Sequence, residues 1–315
     1  MEIDAAMLRS FEGHTDRVRA VDISSDGRLV VSGAWDNTLR LWNADTGEAV
    51  RAFKGHTDKA HTVCLTSDGK RVLSGAGDGK IILWDTGTGE VVRAFEGDLG
   101  WVWAISLSPD EKRLFCGSWN RALSLWDVES GKQIRAFTGH SGDVWATAFL
   151  PDGVRALSGA EDDTLRLWNV ETGENTRTFR GHSERVRDLS VSADGRLAIS
   201  ASWDKTLILW DIETGEAVRA FKGHADKVEA VSLSSDSRFA VSGSWDKTLI
   251  LWNVDAGESI HTFNGHTEQV HAVRLHSASM RAVSGSDDKK LILWDLAPFM
   301  SQAARTGAAQ PAAGQ

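Results

Sequence analysis

The chain has 315 residues, 41% hydrophobic and 25% charged, with a formal net charge of −9. That composition fits a soluble globular protein, and the absence of Lys or Arg runs disfavours sequence-independent nucleic-acid binding, which needs clustered cations. Cys64 and Cys116 are too few for a disulfide framework or a cysteine-based zinc site. The N-terminal MEIDAAMLRSF has no signal-peptide core and no apolar stretch nears the roughly 20 residues of a membrane helix, so a reducing cytoplasm is the expected home.

In chain order, MLRSF (7–11) is followed by VRAVDIS (18–24), an apolar and β-branched run that stops at the turn Asp26-Gly27. RLVVSGA (28–34), the turn WDNT (35–38), LRLWNA (39–44), the turn Thr46-Gly47 and AVRAF (49–53) come next. These are short strands punctuated by hairpin signals. The pattern then restarts. A tryptophan returns every 42 residues, at Trp42, Trp84, Trp126, Trp168, Trp210, Trp252 and Trp294, each followed by Asp or Asn. A Gly-His pair keeps the same step at His14, His56, His140, His182, His224 and His266, while the slot in the third copy holds Asp98. A fixed period of this size means one supersecondary unit copied. Each copy reads as four antiparallel strands, so the fold class is all-β. Seven small twisted sheets, apolar on both faces, are best buried by radial packing around an axis.

The Trp-Asp/Asn pair in seven in-register copies and the Gly-His pair in six of them, over about residues 7–296, resemble the WD-repeat (WD-40) family. The resemblance implies a seven-bladed β-propeller in which the repeat is offset from the blade. MLRSF (7–11) then aligns with AVRAF (49–53) and pairs beside LILWDL (291–296), closing the ring and removing its free edges. One domain spans 1–296. The Ala/Gln/Gly-rich remainder, 297–315, is expected as a disordered tail.

Six copies carry His, Ser, Asp and Trp at fixed offsets: His14, Ser32, Asp36 and Trp42; His56, Ser74, Asp78 and Trp84; His140, Ser158, Asp162 and Trp168; His182, Ser200, Asp204 and Trp210; His224, Ser242, Asp246 and Trp252; His266, Ser284, Asp288 and Trp294. By residue type this is a catalytic triad, but an enzyme needs one site, not six. The family resemblance implies a structural chain running from Asp to His to Ser to the indole N–H. In the third copy the slots read Asp98, Cys116, Asn120 and Trp126. Either drift or relaxation around a ligand accounts for this change.

The other seven tryptophans fall in three columns. Before the turn Asp stand Trp35, Gly77, Trp119, Glu161, Trp203, Trp245 and Asp287. Three residues after the His slot stand Arg17, Lys59, Trp101, Asp143, Arg185, Lys227 and Gln269. Five after it stand Arg19, His61, Trp103, Trp145, Arg187, Glu229 and His271. In the family these positions resemble the ring around the top of the central channel, where partners dock.

The expected function is therefore a non-enzymatic, monomeric scaffold for protein or peptide recognition. Trp is enriched at binding hot spots, and Trp101, Trp103, Trp119 and Trp145 differ from their counterparts and lie on adjacent blades. They are expected to form one exposed aromatic surface, with Asp143 and Glu161 beside it to receive a cationic side chain. Arg17, Arg19, Lys59, Arg185 and Arg187 form a basic arc suited to carboxylate or phosphate groups. Trp35, Trp203 and Trp245 are added to the face, with cover for neighbouring side chains as their alternative role. Small-molecule or glycan binding on the same aromatics is the second reading. An enzyme is the third, with Asp98 and Asp143 the nearest candidates, although no unique acid, base and nucleophile set is visible. No cofactor is expected, and no metal, because His61, His261, His271 and His276 lie in separate copies or at opposite ends of strands.

Overall fold

A computed structural model describes residues 4–95, 97 and 99–307. It contains seven four-stranded antiparallel sheets arranged as the blades of a propeller. Blade 1 runs Val18–Ile23, Leu29–Ala34, Thr38–Asn43 and Ala49–Lys54 from the axis outward, here strands a to d. Blades 2 to 6 repeat this with consecutive strands. Blade 7 supplies Val270–His276, Arg281–Ser286 and Leu291–Asp295, and takes its d strand, Met7–Phe11, from the other end of the chain. Phe11 stands opposite Leu291 and Arg9 opposite Leu293. Phe11 is buried and meets Trp42 of blade 1 edge-on at 5.7 Å, so the closing strand also grips the next blade.

The core lies between blades. One cluster joins Val31 and Leu39 of blade 1 to Val63, Val72 and Trp84 of blade 2. Close approach there needs small residues: a Cβ on Gly117 would come within 2.7 Å of Val144 Cγ1 in the next blade.

The rim carries a second inter-blade device. Arg9, Arg51, Arg93, Arg135, Arg177 and Arg219, one per d strand, each donate to backbone carbonyls in the c–d turn of the following blade. In that turn Gly257 has φ +77°, and a Cβ on it would meet Arg219 Cδ at 2.6 Å. Glycine thus serves both the left-handed backbone and the arginine packed on it. The seventh slot is His261. Blade 7 has no c–d turn to offer carbonyls, because its d strand arrives from the N-terminal segment. His261 instead lies with Nε2 3.3 Å from Asp4 Oδ2 and stacks on Phe299 at 4.0 Å.

Phe299 belongs to a helix, Ala297–Gly307. This corrects the expectation of a disordered tail from residue 297. Composition directs attention to the Ala-rich 301–315, but Phe299 and Met300 precede it, and Met300 is buried against the seam. Asp295 Oδ1 accepts the Ala297 N–H at 3.0 Å, opening the helix. Residues 308–315 lie outside the described residues. No described helix is long and apolar enough to cross a membrane.

Candidate functional site

Each a strand carries one bulge against its b strand, and the extra residue is always the one five after the His slot. A bulge re-aims a side chain. Here it turns Arg19, His61, Trp103, Trp145, Arg187, Glu229 and His271 into the axial channel, where they line a cavity of about 90 Å³.

One sector of this ring is charged and internally matched. Glu229 Oε2 accepts from Arg187 Nε at 2.8 Å, and Oε1 accepts from the indoles of Trp203 and Trp245 at 3.1 and 2.6 Å. Burial alone would raise this carboxyl, but Arg187, His271 and Arg19 outweigh it and hold Glu229 at about 2. Arg19 is brought down to about 10 by burial, so it stays protonated at neutral pH, and its Nη1 is 3.9 Å from Asp287 Oδ1. His271 Nε2 is 2.9 Å from the same oxygen.

The other sector is aromatic. His61, Trp103 and Trp145 follow one another with ring centroids 4.3 and 4.0 Å apart, and the Arg187 guanidinium covers Trp145 at 3.7 Å. Burial, then the cations Arg19, Lys59 and Arg187, lower His61 to about 3, so it is neutral. The indole nitrogens of Trp103 and Trp145, both ring nitrogens of His61 and Arg187 Nη1 are buried without a hydrogen-bond partner among the described residues.

Above the channel, Trp101 meets Trp119 edge-on at 4.7 Å and Trp103 at 5.5 Å. Trp119 opens a short 3₁₀ turn, Trp119–Arg121, in which Asn120 takes φ 64° and donates its N–H to Asp143 Oδ1 at 3.1 Å. Burial, then the neighbouring Glu161, raises the Asp143 carboxyl.

The four indoles form one contiguous run, but the expectation that all four are exposed is corrected. Trp101 and Trp119 are exposed at 39% and 41%, while Trp103 and Trp145 are part of the channel wall. Period-two alternation gave no warning, because the bulge redirects that column. The basic arc is corrected too. Arg17 pairs with Asp287 at 3.3 Å, Arg185 with Glu161 at 2.5 Å and Arg187 with Glu229 at 2.8 Å. Lys59 Nζ sits over Trp35 at 4.3 Å, beside Arg17 and Arg19 on the same ring. Lys227 lies 3.8 Å from the Trp203 ring and 4.4 Å from the Trp245 ring. Trp35, Trp203 and Trp245 thus carry the chain's own cations.

A second charged layer was not found from the sequence. Further along the channel wall, Arg274 Nη1 is 3.5 Å from Asp188 Oδ2. Asp188 and Asp22 accept the N–H groups of Val231 and Leu65 at 3.0 and 2.8 Å. Burial raises both carboxyls, with Arg274 opposing. The available signal was the column holding Asp22 and Arg274, where other copies have Cys64, Ser106, Ala148, Ser190 and Ser232.

The profile of the family "WD domain, G-beta repeat" (WD40) matches residues 6–43, 47–85, 89–127, 131–169, 173–211, 215–253 and 257–295. The chain belongs to the WD40 family. Over 40 residues it is 52% identical to the small ribosomal subunit protein RACK1 of Candida albicans, covering 13% of each chain. Over 39 residues it is 54% identical to the protein of that name from Dictyostelium discoideum, covering 12% of each. Each match spans about one repeat.

In this WD40 chain the six tetrads share one geometry. Trp Nε1–H donates to Ser Oγ at 2.8–2.9 Å. Ser Oγ lies 2.7–2.8 Å from His Nε2. His Nδ1 lies 2.7–3.1 Å from the Asp carboxylate. The network fixes the tautomer: Nδ1–H donates to Asp, and Nε2 accepts the Ser hydroxyl. All six Ser are 0% exposed, so no substrate carbonyl can reach them. In the third copy Cys116 is buried, and burial pushes its thiol up to about 12. Asp98 lies outside the described residues. Among the described residues no group of three His, Cys, Asp or Glu has metal-binding geometry.

Proposed function

We propose that this WD40 propeller is a non-enzymatic scaffold that recognises a protein or peptide through its Trp-lined top face. The supporting observation is the exposed pair Trp101 and Trp119. Trp35, Trp145, Trp203 and Trp245 already carry cations of the chain, and among the described residues none lies over Trp101 or Trp119. The Asp143 carboxylate is anchored beside them through Asn120. An Arg or Lys of a partner fits this corner, where each cation–π contact contributes about 0.5–2 kcal/mol. The full burial of the repeated Ser groups supports a role without catalysis, and the protein is proposed to work as a cytoplasmic monomer.

The test is selection from an immobilised peptide library, comparing the wild type with the Trp101→Ala/Trp119→Ala variant. Selected peptides should carry a Lys or Arg and lose about tenfold or more in affinity for the variant, with its melting temperature nearly unchanged. Equal binding by both proteins, or selective binding of simple sugars in place of peptides, overturns the reading.

A further inference from the structure

We propose that the aromatic sector of the channel, below the exposed Trp pair, is a pocket for a single carboxylate group of the bound peptide. The inference rests on the top face being a peptide-binding surface and assigns the chemistry of its inner subsite. The polar balance there is lopsided. Trp103 and Trp145 each present an indole N–H and Arg187 one Nη1 group, and neutral His61 adds one N–H and one acceptor nitrogen, all buried and unpartnered among the described residues, so donors outnumber acceptors in this sector. The nearby acceptor is already engaged: Glu229 accepts from Arg187, Trp203 and Trp245. A buried donor left unpaired costs about 1–3 kcal/mol, so the sector calls for an acceptor.

Charge limits which acceptor. Arg19 and Arg187 are offset by Asp287 and Glu229. Asp287 is shared with Arg17, Arg274 faces Asp188 and Asp22 deeper in the channel, and Lys227 lies over Trp203 and Trp245, so four arginines stand against four carboxylates and Lys59 is the cation left over on the aromatic side. One negative charge is matched and a phosphate dianion is not. The cavity of about 90 Å³ admits a carboxymethyl-sized group. It would hold a few ordered waters equally well, and the experiment separates the two.

The probe is N-acetyl-aspartate α-amide, compared at constant ionic strength with N-acetyl-asparagine amide and chloride. The readout is the indole ¹H–¹⁵N resonances, assigned with Trp103→Phe and Trp145→Phe. The aspartate probe should shift the Trp103 and Trp145 indole signals saturably and leave the seven repeat-landmark indoles in place. Each Trp→Phe variant keeps an aromatic ring, loses one donor and should weaken binding on the order of tenfold. Unmoved or non-saturating signals, or equal shifts from the asparagine probe or chloride, overturn the proposal and leave water or an adventitious ion only. The probe involves no partner, so its failure is distinct from failure of the peptide selection. Loss of selection by the Trp101/Trp119 variant with silent indoles would leave the scaffold reading intact.

Discussion

The Trp126 indole N–H donates to Ser124 Oγ at 2.7 Å, two residues earlier on the same strand. In the other six blades the acceptor is a Ser ten residues earlier, on the neighbouring b strand. The third copy holds Cys116 in that slot, and its landmark indole has found a replacement. Ser124 occupies a column that reads Arg40, Ile82, Arg166, Ile208, Ile250 and Ile292 elsewhere. Loss at one position and gain at another favours compensated drift for this part of the blade. The altered turn at Trp119–Arg121 is separate, and it shapes the proposed rim site.

Ser124→Ala should leave a buried indole N–H unpaired and lower stability by about 1–3 kcal/mol. Urea denaturation measures it. An unchanged midpoint would mean that the bond contributes nothing.

Acid should weaken the tetrads. Asp78 and Asp204 are held at about 2, below the usual 3.8, because bonds from His56 and His182 outweigh the opposing effect of burial. Asp36, Asp162, Asp246 and Asp288 are lowered as well. As pH falls, the unfolded chain takes up protons first. The stabilisation is therefore complete above about pH 4 and drains as pH drops toward 2. Melting temperature should fall over that window, and Asp204→Asn should make the fall shallower. A flat profile from pH 5 to 2 contradicts this.

Removing residues 1–11 should destabilise the whole ring. It deletes the d strand of blade 7, unburies the contact of Phe11 with Trp42 and opens the Leu291–Asp295 edge. Losing one buried Phe alone costs about 3–5 kcal/mol. Calorimetry and light scattering should show a lower melting temperature and self-association. A monomeric deletion variant with an unchanged melting curve argues against this account of closure.

Ser200→Ala should weaken its blade by about 1–3 kcal/mol through the partners it strands, Trp210 and His182. A serine-directed phosphonate should label no tetrad Ser in the folded protein, and iodoacetamide should spare buried Cys116. Stoichiometric labelling of any one tetrad Ser would reopen the catalytic reading.

The architecture was legible because seven copies repeat every local signal in register. The Asp26-Gly27 and Thr46-Gly47 turns, the Trp42 column and the match of 7–11 to 49–53 all agree. The site was less so. The column of Trp103 and Trp145 was found, but its direction is set by a bulge, which depends on backbone register rather than residue type. The ion pairs of Arg17 with Asp287 and Arg187 with Glu229 link different copies. A periodic alignment lists such residues side by side without saying which ones touch across the ring. Phe299 and Met300 were missed because they follow the last full repeat and have no counterpart to be compared with.

Six arginine clasps join each blade to its immediate successor, as when Arg219 reaches Ala256 across 37 residues. The seam, where His261 meets Asp4, spans 257. The entropic penalty of that longer loop is modest, because it grows only with the logarithm of length. The order of events is the greater burden. Met7–Phe11 is synthesised before any of the seven blades, and its partner Leu291–Asp295 only after six of them. Until then one end of the growing array is a strand without a sheet and the other a sheet without a strand. Two chains caught at that stage can complete each other, so assembly is a race between self-closure and exchange. Self-closure is unimolecular and independent of concentration, whereas exchange between two chains grows with it.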